Sequence, residues 1–105
     1  MVTNSISNNQ IRFSLGQIVG TPGAMQALEE AGQDPMTFLA RHVRGDWGDL
    51  DTHDQRANDE ACAHEGDTSQ QGRILSAYRT RLNVKLWVIT EYDRSVTTIL
   101  LPEEY

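Results

Sequence analysis

Three β-rich runs separated by short polar segments fill the last third of the chain, and this ending constrains the fold more than any other feature. Ile74 to Tyr78, Val84 to Thr90 and Val96 to Leu101 are dominated by branched, aromatic and hydroxyl side chains, and RTRLN and EYDRS between them suit hairpin turns, so the runs predict a three-stranded antiparallel meander. In the middle run Val84, Leu86 and Val88 alternate with Lys85, Trp87 and Ile89, so both faces turn apolar towards its centre, as expected of a strand inside a sheet. Pro102 cannot donate to a ladder and ends the last run, leaving Glu103, Glu104 and Tyr105 as a short acidic tail.

Upstream, the periodicity changes. Ile11, Phe13 and Leu15 alternate with polar residues, which predicts a first strand from Ile11 to Val19 with Gly16 as a bulge. Thr21 then offers a cap and Pro22 a first helical residue, Ala24 to Ala31 favours helix, and Gly32 stands where a left-handed cap is wanted. The grammar repeats at Asp34-Pro35, with Phe38, Leu39 and Val43 as an apolar stripe, His42 beside it near the last carbonyls, and Gly45 as the stop. Trp47 is expected to plug the core, and Asp51 with Asp54 resembles a cap for a third helix running to about His64. Gly66 to Gly72 reads as an exposed loop. The predicted class is therefore α+β: an N-terminal strand, three short helices, then the meander, with the helices on one sheet face.

A chain of 105 residues suits one domain, here residues 11–105, preceded by a disordered polar arm over residues 1–10. A single cysteine, Cys62, excludes an intramolecular disulfide and fits a cytoplasmic location; it reads as a small packed or surface residue, with no neighbour to activate a thiolate. No run approaches the roughly 20 apolar residues of a membrane span, and Met1 to Gln10 lacks both a basic start and an apolar signal core. The net charge of −6 opposes general attraction to nucleic acid.

That charge is concentrated. Asp46, Asp49, Asp51, Asp54, Asp59 and Glu60, with Glu65 and Asp67 beyond them, face one base, Arg56, within the same segment. Early carboxylates complement a helix dipole, and as a surface they could engage a basic site on another protein. His53, Glu60 and His64 share one helical face, but the two histidines stand about 16 Å apart at 1.5 Å per residue, so no metal site is predicted. The last third has the opposite balance, with Arg73, Arg79, Arg81, Lys85 and Arg94 among Tyr78, Trp87 and Tyr92. Glu91 as a base, with Arg79, Arg81 and Lys85 holding phosphate, would be a catalytic set for RNA cleavage; the same charges also suit the solvent face of a sheet. Walker, GxGxxG, GxSxG and HExxH signatures are absent, and no cofactor is predicted.

GDWGDLD (Gly45 to Asp51), ILSAYRT (Ile74 to Thr80) and LWVITEYDRSVTTILLPEEY (Leu86 to Tyr105) resemble segments of small bacterial proteins of unknown function associated with plasmids and mobile elements. The resemblance runs from about Phe13 to the end and implies an accessory protein of mobile DNA. The chain departs from it in a longer CAHEGDTSQQ segment after the third helix. Three functional expectations follow. The first is a non-enzymatic interaction protein with an unknown protein partner at the acidic helical surface. The second is a small ribonuclease toxin, since the β-rich ending loosely resembles RelE-type folds. The third is a homodimer through an exposed edge of the meander or the strand from Val96 to Leu101.

Overall fold

A computed structural model describes residues 11–67 and 69–105. The polar arm expected over residues 1–10 lies outside the described residues. The elements run β1 (Gln17–Gly20), α1 (Pro22–Ala31), α2 (Pro35–Val43), α3 (Thr52–Ala63), β2 (Ile74–Arg79), β3 (Lys85–Thr90) and β4 (Val96–Leu100), closed by a single 3₁₀ turn at Pro102–Glu104.

Local chemistry explains the helix starts. The Thr21 hydroxyl accepts from the Ala24 amide at 3.2 Å, the Asp34 carboxylate from Met36 at 2.9 Å and the Asp51 carboxylate from Asp54 at 2.8 Å. Gly32 ends α1 in the left-handed region at φ 64°, where its amide reaches back to the last turn.

β2, β3 and β4 pair antiparallel as the meander predicts, and β3 is interior. The expected three-stranded sheet is nevertheless one strand short. β1 adds to β4 in parallel, making a mixed four-stranded sheet in the order β1-β4-β3-β2. The first strand is also shorter than Ile11 to Val19. Gly16, at φ 63°, breaks the alternation, and a Cβ there would lie 2.3 Å from the Arg94 carbonyl, so only glycine lets the chain turn in against β4. Before that break, Phe13 is buried in the core rather than paired in a ladder.

The inward sheet face packs in two parts. Tyr78, Leu86, Val88 and Ile99 meet Ala24 and Leu28 of α1 and Phe38 and Leu39 of α2 in an apolar cluster. Ile74 meets Phe13, Val43, Trp47 and Ala61 in a second. Two helices thus cover one face as expected, whereas α3 lies along the outer side of β2. There the Asn58 amide donates to the Leu75 carbonyl at 2.6 Å and its oxygen accepts from the Leu75 amide at 3.2 Å. The Ala77 amide donates to the Trp47 carbonyl and the Asp49 amide to the Ala77 carbonyl, at 3.1 and 2.7 Å. Side chain and loop therefore stand in for a fifth strand and cover most of this edge.

The ending is more than an acidic tail. The 3₁₀ turn brings Glu104 to the start of α1, where its carboxylate accepts from the Thr21 hydroxyl, the Gly23 amide at 3.1 Å and the Leu101 amide at 2.9 Å. A carboxylate beside a helix N-terminus complements the dipole, and these bonds, led by that from Thr21, hold its pKa below the usual glutamate range. The expected exposed loop after α3 is tied down at Gln71, which is buried, accepting from the Gly66 amide at 3.0 Å and donating to the Tyr92 carbonyl at 2.7 Å.

Candidate functional site

The six acidic residues expected to face a partner divide into two groups. Asp46 accepts from Arg41 at 2.8 Å, which with the Gly48 amide holds its pKa low, and Asp49 pairs with Arg79 at 3.4 Å. Asp51 caps α3, and Asp59 accepts from the Trp47 indole at 3.1 Å and from Arg12 at 3.3 Å. Four of the six thus have duties in the fold. Asp54 and Glu60 remain, both exposed: Asp54 one turn before the buried Asn58 on the sheet side of α3, and Glu60 on its solvent side. Beside Asp54 runs a groove of about 220 Å³ whose half-buried floor is Leu50 and Leu75, with Ala57 and Asn58 along the helix side, and whose rim carries Asp54 and Arg73.

The basic set is spread over the sheet. Arg79 and Lys85 are cross-strand partners at one end, but Glu91 follows the far end of β3, about 20 Å away for six strand residues at ~3.3 Å each. Arg79 is paired with Asp49 and donates to Asn83 at 3.2 Å, and the Arg81 amide binds the Gln33 side chain at 2.9 Å. Arg94 does something else entirely. Almost buried, and left-handed at φ 60°, it grips Glu65 at 2.7 Å and donates to the carbonyls of Gly72, Glu91 and Tyr92, locking the β3–β4 turn to the end of α3.

Sequence reasoning missed the most unusual polar feature. His42 is fully buried, with Nδ1 2.6 Å from the Ser76 Oγ and Nε2 2.9 Å from the Thr90 Oγ1. The Thr90 and Thr97 hydroxyls are 2.7 Å apart, and Thr97 donates to the Leu15 carbonyl at 2.7 Å. Counting hydrogens sets the Nε2 side: Thr97 uses its proton on Leu15 and so accepts from Thr90, and Thr90 then accepts from Nε2–H. A neutral ring is then bare at Nδ1 and accepts from Ser76 there. Burial, then the nearby Arg94 charge, pushes its pKa down to about 3. Phe13 and Trp47 stand edge-on to the ring with centroids at 5.1 and 6.1 Å. A serine–histidine pair invites a hydrolase interpretation, but a nucleophile needs substrate access and both residues are at 0% exposure. The pair holds α2 to the sheet.

Asp51, His53 and Asp54 form one exposed grouping of metal-capable side chains. Asp51 is already the α3 cap, so the group is explained without an ion. Cys62 is half-buried against the second cluster, and desolvation pushes its thiol pKa up, away from thiolate chemistry. Among the described residues no helix is long and apolar enough to cross a membrane. Comparison with protein-family models, with curated proteins and with solved structures found no match.

Proposed function

We propose that this chain is a non-enzymatic accessory protein of mobile DNA that binds a partner protein at the α3–β2 groove and the adjoining outer face of α3. The mobile-DNA context rests on the resemblance of GDWGDLD, ILSAYRT and the Leu86 to Tyr105 segment. The observation that carries the binding site is the groove itself, where Leu50 and Leu75 lie half-exposed between the Asp54 carboxylate and the Arg73 guanidinium. An apolar floor with a charged rim suits a partner that offers an aliphatic side chain next to a base. Glu60 lies on the solvent side of α3, away from the groove, and adds acidic charge to the helix surface beyond it. The fitting experiment is affinity capture from the native host with the wild type and an Asp54→Lys, Glu60→Lys double variant. One stable partner retained by the wild type and lost by the variant supports the site. Capture of no stable partner, or of the same partner by both, contradicts it.

The second reading, a RelE-like ribonuclease, draws on the pairing of Arg79 with Lys85 beside Trp87 on the outward sheet face. The base expected for it, Glu91, stands at the other end of β3. Cleavage of RNA by the purified protein, abolished by Arg81→Ala with Lys85→Ala, would favour it over the binding role.

A further inference from the structure

The chain covers most of one edge of its sheet and leaves the other open. On β2 the outward peptide groups of Leu75 and Ala77 are all answered, by Asn58, Trp47 and Asp49. On β1 the Gln17 amide donates to Ser95 and the Thr21 amide to Ile99, which sets the alternation in the parallel ladder. The peptide groups of Gln17 and Val19 face β4, so those of Ile18 and Gly20 point away from the sheet. Among the described residues none hydrogen-bonds to these outward groups. All four residues of β1 are exposed, with Ile18 at 46% and Val19 at 38%. The strand carries no charge, proline or bulge of the kind that protects natural edges. The expected dimer edges are in contrast taken: β4 is covered by β1, and β2 by α3 and the loop before it.

We infer that β1 is a homodimer interface, pairing antiparallel with β1 of a second copy about a two-fold axis at Val19, so that the sheet continues across both chains. Three observations favour a second copy over an unrelated strand. The outward pair Ile18 and Gly20 flanks Val19 symmetrically, so each Ile18 falls opposite a Gly20 and the two such pairs exchange two hydrogen bonds each, four in all. The place a Gly20 side chain would take is filled by the Met25 thioether, so each Ile18 meets the Met25 of the other copy. Charge is arranged to permit it. Each copy carries −6, but the acidic helix α3 packs on the opposite edge, β2. Seven strand spacings of ~4.8 Å then separate the two β2 strands by about 34 Å, several times the ~8 Å screening length at physiological salt.

Four-residue strands make a small contact, so the association is reversible and concentration-dependent. The inference does not rest on the partner-binding role of α3. Sedimentation equilibrium of the full chain tests it: the mean mass should climb from 11.8 kDa towards about 24 kDa, twice that value, as concentration rises. Val19→Lys, and separately Ile18→Lys, should raise the dissociation constant about tenfold or more while leaving the circular dichroism spectrum unchanged, because both side chains already face water. Amide exchange at Ile18 and Gly20 should slow only in the dimer. A mass of 11.8 kDa at every concentration overturns the inference. So does a dimer unaffected by both lysines, or a monomer in which those two amides are already protected by residues 1–10.

Discussion

Two neighbouring parts of one interior are built from different material. Beneath α1 and the first half of α2, Leu28, Phe38, Leu39, Leu86, Val88 and Ile99 pack with no polar atom except the Tyr78 hydroxyl, which donates to the Asp46 carbonyl at 2.6 Å. One helical turn along α2, the same strands present Ser76, Thr90 and Thr97 inward and His42 fills the space among them. The apolar part is held by area and shape, which are indifferent to pH. The polar part is held by a series of hydrogen bonds from the His42 ring through Thr90 and Thr97 to the Leu15 carbonyl, and burial disfavours an extra proton on the ring. Chemistry that would look catalytic in a cleft is here a means of fixing one packing arrangement.

That contrast can be broken experimentally, and His42→Ala should do the most damage. It leaves a cavity, a stranded Ser76 donor and a Thr90 oxygen without its donor, for a loss of about 4 kcal/mol in urea unfolding. Leu86→Ala, in the apolar part, should cost a comparable ~3 kcal/mol, so magnitude alone does not separate the two.

The pH dependence does. The folded ring takes a proton only near pH 3, whereas an unfolded imidazole takes one near 6.5. Between those values the unfolded state binds more protons, so stability falls as pH falls, at a limiting rate of about 1.4 kcal/mol per unit. Leu86→Ala should keep this slope, and His42→Leu should flatten it between about pH 6.5 and 4.5, above the range where the carboxylates titrate. An unchanged slope in His42→Leu would remove the distinction between the two parts. The smallest effect sharpens it: Thr97→Val preserves shape but leaves the Leu15 carbonyl and the Thr90 proton without partners, for about 1–2 kcal/mol.

Much of the fold was legible because its signals are local. Thr21-Pro22, Asp34-Pro35 and Asp51 each start a helix through a bond made within three residues, and the meander's runs announce themselves by composition. β1 was not legible in the same way. Ile11, Phe13 and Leu15 imitate a strand, yet Phe13 is recruited to the ring around His42, and the parallel partner of Gln17–Gly20 lies some 80 residues downstream, where no local pattern can point. His42 left a fainter signal. Phe38, Leu39, His42 and Val43 follow helical spacing, which places the imidazole inside the stripe rather than beside it, and Ser76, Thr90 and Thr97 occupy inward strand positions. The acidic segment was legible as composition only. Which carboxylates serve the fold depends on where Arg12, Arg41 and Arg79 arrive, and those contacts are set by tertiary packing.

The structural role of the Ser76–His42 pair is tested most directly by a nitrogen-15 NMR titration of the His42 ring. The Thr90–Thr97–Leu15 hydrogen bonds predict a proton on Nε2, and burial predicts a neutral ring bare at Nδ1, with chemical shifts that do not move from pH 8 down to about 4. A ring that titrates near pH 6.5, or that carries its proton on Nδ1, would contradict the buried one-way chain and reopen the pair as an acid–base site.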